Sequence, residues 1–116
     1  MVMSRVQGHA VFGAITVDEL SFVDPNTETL AGGKTLTETD KTVHFLDPGG
    51  AGRAITLPAE ANSVGRVFII FNTADADEAL TISEDGTTTR ATITQNESCI
   101  LVCDGTSWRG LVGTIS

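Results

Sequence analysis

Cys99 and Cys103 stand four positions apart in "ESCILVCDGTSWRGLV", beside an Asp-Gly pair and the single tryptophan, Trp108. Closely spaced thiolates can bind a metal or run disulfide exchange, so this stretch is the first place to look for chemistry. If it forms a strand, the two Cα atoms lie about 13 Å apart, beyond disulfide reach. A lone Cys-x-x-x-Cys pair also lacks the second ligand pair that a structural zinc requires. The expectation is two reduced core thiols that act as small hydrophobes.

Other residues invite similar questions. In "DPGGAGRAIT" glycines precede a basic residue, as in a phosphate loop. Arg53 stands where lysine is needed, however, and a strand follows instead of a helix N-terminus, so a loop is expected. "NTADADE" gathers Asn72, Asp75, Asp77 and Glu78 as oxygen donors that could hold calcium. It lacks the spacing and central glycine of an EF-hand loop, which favours a solvated acidic turn. His9 and His44 are far apart, and neither belongs to a local nucleophile or metal-ligand motif. Trp108 is either a core anchor or a platform on which a ligand stacks; the hairpin pattern favours the core. No catalytic residue, metal or cofactor is expected, and the chain is not expected to be an enzyme.

The elements that must carry these residues follow from composition and pattern. A chain of 116 residues is one domain by length. It is rich in Val, Ile, Leu and Thr, holds only 5% aromatics and has no tyrosine, which suits pleated sheet better than helix. With a net charge of -8 and its few cations scattered, its surface repels a polyanion, so nucleic acid is not an expected partner. No apolar run approaches bilayer length, so no membrane is expected either. The start "MVMSRVQGHAVFGAITV" lacks a charged n-region and a continuous h-region, so a cytoplasmically made, soluble chain is expected.

Along the chain, "VFGAITV" (11–17) and "LSFV" (20–23) read as short strands, and "DPNTETLAGG" (24–33) reads as a loop or linker. The division is an N-terminal arm and linker, 1–33, and a body, 34–116. Within the arm, Val11, Phe12, Ile15, Val17, Leu20 and Phe22 are the candidate partner-binding residues, because an isolated pair of strands is marginal in water and needs cover. In the body, "RVFIIF" (66–71) is apolar on both faces and reads as a buried central strand. Asp85-Gly86 and Asp104-Gly105 are tips of hairpins closed by tight primed turns. Two-residue turns pair Ile82 with Thr89 and Leu80 with Ala91, and Leu101 with Trp108 and Cys99 with Gly110. One face of the second hairpin carries Cys99, Leu101, Cys103 and Trp108. The other carries Ile100, Val102 and Leu111, so cover on both sides is expected. Phe45, Phe68, Ile70, Leu101 and Trp108 are the expected core anchors. The fold class expected is all-β, a compact β-sandwich or jelly-roll-like β-barrel of short antiparallel strands with an extended N-terminal arm.

The order "AITLPAEANSVGRVFIIFN", "LTISEDG", "CILVCDGTSWRGL" resembles the β-domains of tailed-bacteriophage virion proteins. The likeness runs from about Leu36 to Val112 and is carried by Leu57-Pro58, Gly65, Asn72, Asp104-Gly105 and Trp108. Small size, acidity, an N-terminal arm and the lack of a shaft repeat point, within that resemblance, to head decoration (cement) proteins. It implies a homotrimer on the virion capsid surface that binds the major capsid protein and stabilises the expanded shell without catalysis. An alternative is a receptor- or glycan-binding domain of a tail fibre or tailspike, in which Trp108 or the "DPGGAG" loop would contact sugar and Trp108 would be exposed. A hydrolase would need polar groups converging on His44 or the thiols.

Overall fold

β-branched segments punctuated by Gly, Pro and Asp form strands here, but most of them pair with partners that local turn signals do not announce. The structure, a computed structural model, describes residues 14 and 16–114. Among these lie β1 (Asn26–Thr29), β2 (Lys34–Thr35), β3 (Val43–Asp47), β4 (Arg53–Thr56), β5 (Val67–Asn72), β6 (Leu80–Glu84), β7 (Thr88–Ile93), β8 (Glu97–Cys103) and β9 (Trp108–Thr114). A single 3-10 turn, Glu60–Asn62, interrupts the run after Pro58. The strands make a five-stranded sheet in the order β1-β3-β5-β8-β9 and a four-stranded sheet in the order β2-β4-β6-β7. The fold is all-β, with two mixed sheets around one core, and it is not closed into a barrel.

From β1 to β6 the chain alternates between the sheets. Each new strand lies parallel to the strand two before it, giving the ladders β1–β3, β2–β4, β3–β5 and β4–β6. Only β5–β8, β6–β7 and β8–β9 are antiparallel. The expectation of antiparallel strands therefore holds at the C-terminal end and is corrected for the first six. A parallel neighbour needs a crossover, and here each crossover runs through the opposite sheet. The stretch 24–33, read as a linker, contains β1, whose polar residues carry no apolar alternation. By contrast "RVFIIF" supplies β5, the middle strand of the larger sheet.

Both hairpins form at the expected tips with a corrected register. Asp85 and Gly86 take φ of 55° and 68°, as a primed turn demands. Beyond the turn Ile82 pairs with Ala91 and Ser83 with Thr89, leaving Arg90 as the extra residue of a bulge. In the second hairpin Cys103 pairs with Trp108 and Leu101 with Gly110 across a four-residue loop, Asp104 to Ser107. Asp104 builds that loop, since its Oδ1 accepts from the amides of Thr106 and Ser107, each at 2.8 Å. Both interior registers are displaced by two residues, an even number, so every side chain keeps its face.

The core lies between the sheets. Phe68, Ile70, Leu101 and Trp108 are fully buried there. The Trp108 ring stacks on Phe68 with centroids 5.6 Å apart, and its Nε1 donates to the Pro58 carbonyl at 3.0 Å. Gly110 admits this packing, because a Cβ there would meet the Arg90 carbonyl oxygen at 2.8 Å. Phe45 is corrected: His44 and Leu46 are the inward residues of β3, and Phe45 is half-buried on the outer face, stacked on Phe71 at 4.9 Å.

Candidate functional site

Cys99 and Cys103 are free and buried on the inward face of β8. Burial pushes the Cys99 thiol up to about 12, so it stays protonated and unreactive near neutrality. The Cys103 thiol donates to the Glu60 carbonyl at 3.5 Å, and its sulfur accepts from the Gly105 amide at 3.4 Å. These are packing and loop-holding groups.

His44 is 2% exposed. A carbonyl cannot donate, so the 2.7 Å contact with Lys41 O places the ring proton on Nε2. Nδ1 then accepts from the Asn26 amide at 3.3 Å. Burial lowers the His44 pKa and keeps the ring neutral. Asn26 also donates to Glu28, which pairs with Lys34 at 3.0 Å. The imidazole thus ends a network that fastens polar β1 to β3.

The acidic turn is rearranged relative to expectation. Asn72 is buried, and its amide donates to the carbonyls of Glu78 and Ile93 while its Oδ1 accepts from the Ala74 amide. It locks the turn and offers nothing outward. Asp75 and Glu78 instead approach Asp47 of β3, with carboxylate oxygens within 4.8 Å, whereas Asp77 stands apart. Two of those carboxylates already accept loop amides, Asp47 from Gly49 and Glu78 from Gly50. In the neighbouring "DPGGAG" loop Arg53 folds back and donates to the Pro48 carbonyl at 2.8 Å, tying the loop to itself. Gly49 there has φ +76°, and a Cβ would sit 2.5 Å from the Leu30 carbonyl oxygen, so only glycine fits.

Two ionisable groups escaped the sequence reading. Glu84 is 5% exposed; it takes a hydrogen bond from the Trp108 amide at 2.8 Å and pairs with Arg90. The Arg90 bond, then the Trp108 amide, lowers its pKa against burial. Its inward aim was legible from parity, because Leu80, Ile82 and residue 84 share a face. Arg66 lies over the Phe68 ring at 4.3 Å and donates to Thr42 Oγ1 and to the carbonyls of Glu38, Asp40 and Val67. No sequence signal marks that position, since, apart from the adjacent Val67 carbonyl, its acceptors lie 24 or more residues away.

What stays open is apolar surface. Outward residues form a continuous row across four strands, Val43, Ile69, Ile100 and Leu111, each register partner to the next. Beside it Phe45 and Phe71 make a second row. Between β5 and β9 lies a groove of about 270 Å³, lined chiefly by Ile69, Phe71, Ile100, Leu111 and Val112. Ile100 is 43% exposed and Leu111 69%, so the cover expected on this side of the hairpin is not supplied by the described residues. The leader is equally bare. Val17, Leu20, Phe22 and Val23 are exposed and outside any strand, which corrects the strand read at 20–23. Its foot is held by an Asp24–Lys41 ion pair at 2.8 Å. Val11, Phe12 and Ile15 lie outside the described residues. Comparison with protein-family models, curated proteins and solved structures returns no match to this chain.

Proposed function

We propose that this chain is a structural virion protein, a head decoration protein that binds the outside of a phage capsid as a homotrimer and stabilises the expanded shell. The observation that carries the reading is surplus apolar surface. The core between the sheets is closed, yet an apolar sheet face and an apolar leader both remain open. Contiguous exposed apolar surface on a small acidic protein is the mark of a protein-binding part. The sequence resemblance to phage virion β-domains supplies the partner, the major capsid protein.

The mechanism is mechanical. Each copy adds non-covalent contacts between neighbouring capsid subunits, and the summed contacts oppose the outward pressure of packaged DNA. The ionisable groups brought together, His44 with Asn26 and Glu84 with Arg90, serve as internal fasteners in this reading. The tail-fibre alternative expects an exposed Trp108, whereas the indole is fully buried. Purified protein mixed with expanded heads that lack it tests the proposal by image reconstruction. Regular added density at local threefold positions is expected, and heads that stay bare at saturating protein would overturn it.

A further inference from the structure

We propose that the groove formed by β5, β8 and β9 seats the leader of a second copy of this chain, through Val17, Leu20 and Phe22. Nine large hydrophobics are exposed among the described residues, and all but Val64 fall in two groups of four. Val17, Leu20, Phe22 and Val23 belong to the leader, while Ile100, Val102, Leu111 and Val112 belong to the β8–β9 hairpin. One chain therefore presents a short apolar segment and an apolar groove, and satisfies neither. Thirteen more residues precede Ala14, enough chain to extend such a contact well past Val17.

Three considerations select this occupant. First, the leader departs from β1, at the opposite edge of the sheet from β9. In the single chain the leader stays off the face, with Leu20 75% exposed. Second, the apolar patch from β3 to β9 measures roughly 14 by 17 Å on strand spacing and rise. That is far below the ~800 Å² per partner of a stable specific interface, so two bodies joined face to face would be held too weakly. Third, each body carries the chain's acidic surface, and abutting two such bodies brings like charge together. A threaded leader covers the groove while keeping the bodies apart.

A leader-to-groove contact is heterologous, because donor and acceptor are different surfaces, and it closes into a ring when the rotation allows. Closure after three copies gives the proposed trimer. The contact depends on no capsid, so its failure and a failure of head binding are separable.

Sedimentation equilibrium on three full-length proteins tests it: the intact chain, a leader variant with Leu20→Asp and Phe22→Asp, and a groove variant with Leu111→Glu. All three positions are exposed, and resistance of Trp108 fluorescence to an aqueous quencher checks that each variant is folded. Leu111→Ser provides a milder groove change. The intact chain is expected to associate, and each charged variant alone to need at least tenfold higher concentration. An equimolar mixture of the two charged variants is expected to form 1:1 pairs, because one supplies a good groove and the other a good leader. The proposal is overturned if the intact chain is monomeric at every concentration, which would mean that the leader covers its own face or none. It is also overturned if the leader variant associates like the intact chain, which would mean that grooves pack on each other, or if the mixture forms no pairs.

Discussion

Strand β8 presents two faces built from similar residues with opposite fates. Inward, Cys99, Leu101 and Cys103 are at most 2% exposed, whereas outward, Ile100 and Val102 are 43% and 40% exposed. The inner face is complete within one chain, since Trp108 stacks on Phe68, Gly110 leaves room for the Arg90 carbonyl, and Glu84 holds the Trp108 amide. The outer face has the same apolar character and no cover among the described residues. Strands apolar on both sides belong to sheets buried on both sides. The difference separates the half of this hairpin that folding closes from the half that the proposed contact would cover.

The comparison can be broken most forcefully at the indole. Trp108→Ala should cost about 3–5 kcal/mol, the range for removing a large buried aromatic, read as a fall in the urea midpoint. A loss below about 1 kcal/mol would mean that the inner face is not the closed core described. Next, Gly110→Ala forces a Cβ against backbone and should cost about 1–3 kcal/mol, as overpacking does. The same substitution at Gly113, where a Cβ meets nothing nearer than 4.0 Å, is expected to be well tolerated.

Acid sharpens the comparison from another side. Because burial holds the folded-state pKa of His44 below its ordinary value of about 6.5, the unfolded chain takes up the proton first as pH falls. The neutral ring's contribution is whole above about pH 6.5 and is lost progressively below it. Glu28, Glu84 and Asp104 have lowered pKa values, and their contributions are lost only further down, below the ordinary carboxylate range. Thermal melts between pH 7 and 5 should therefore show a decline that His44→Gln flattens; an equal slope in both proteins would refute the assignment. The smallest effect belongs to the outer face. Ile100→Ser should change the stability of the dissociated chain by no more than about 0.5 kcal/mol, as exposed substitutions do, while weakening self-association.

Much of the inner architecture was legible, for reasons that particular residues make plain. β5 announced itself as a short apolar run, Asp85-Gly86 marked a primed turn by its positive φ angles, and Asp104-Gly105 marked a bend, though a four-residue loop held by the Asp104 side chain replaces the primed turn expected there. Faces survived errors of register because the bulge at Arg90 and the four-residue loop at Asp104 displaced the pairing by an even count. The parallel ladders were illegible. Parallel pairing joins strands separated by a crossover, and nothing local distinguishes β3 as the neighbour of β5. β1 was hidden because Asn-Thr-Glu-Thr carries no apolar alternation; its place depends on Asn26 meeting His44, eighteen residues later. Phe45 was assigned to the wrong side because aromatic size suggested the core, while the smaller, hydrogen-bonded His44 took the inward position. Of the candidate contact surface, the leader's apolar residues and the outward row of the hairpin could both be read. That each would be left bare by the folded chain could not.

Amide hydrogen exchange of the intact protein, across a dilution series that spans its association, measures most directly whether these bare surfaces are contact surfaces. The account predicts that residues 16–23 exchange at nearly open-chain rates when dilute and at least tenfold more slowly when concentrated. Protection at β2, β4, β6 and β7, the sheet away from the groove, should stay constant throughout. Equal exchange of the leader at every concentration would contradict it.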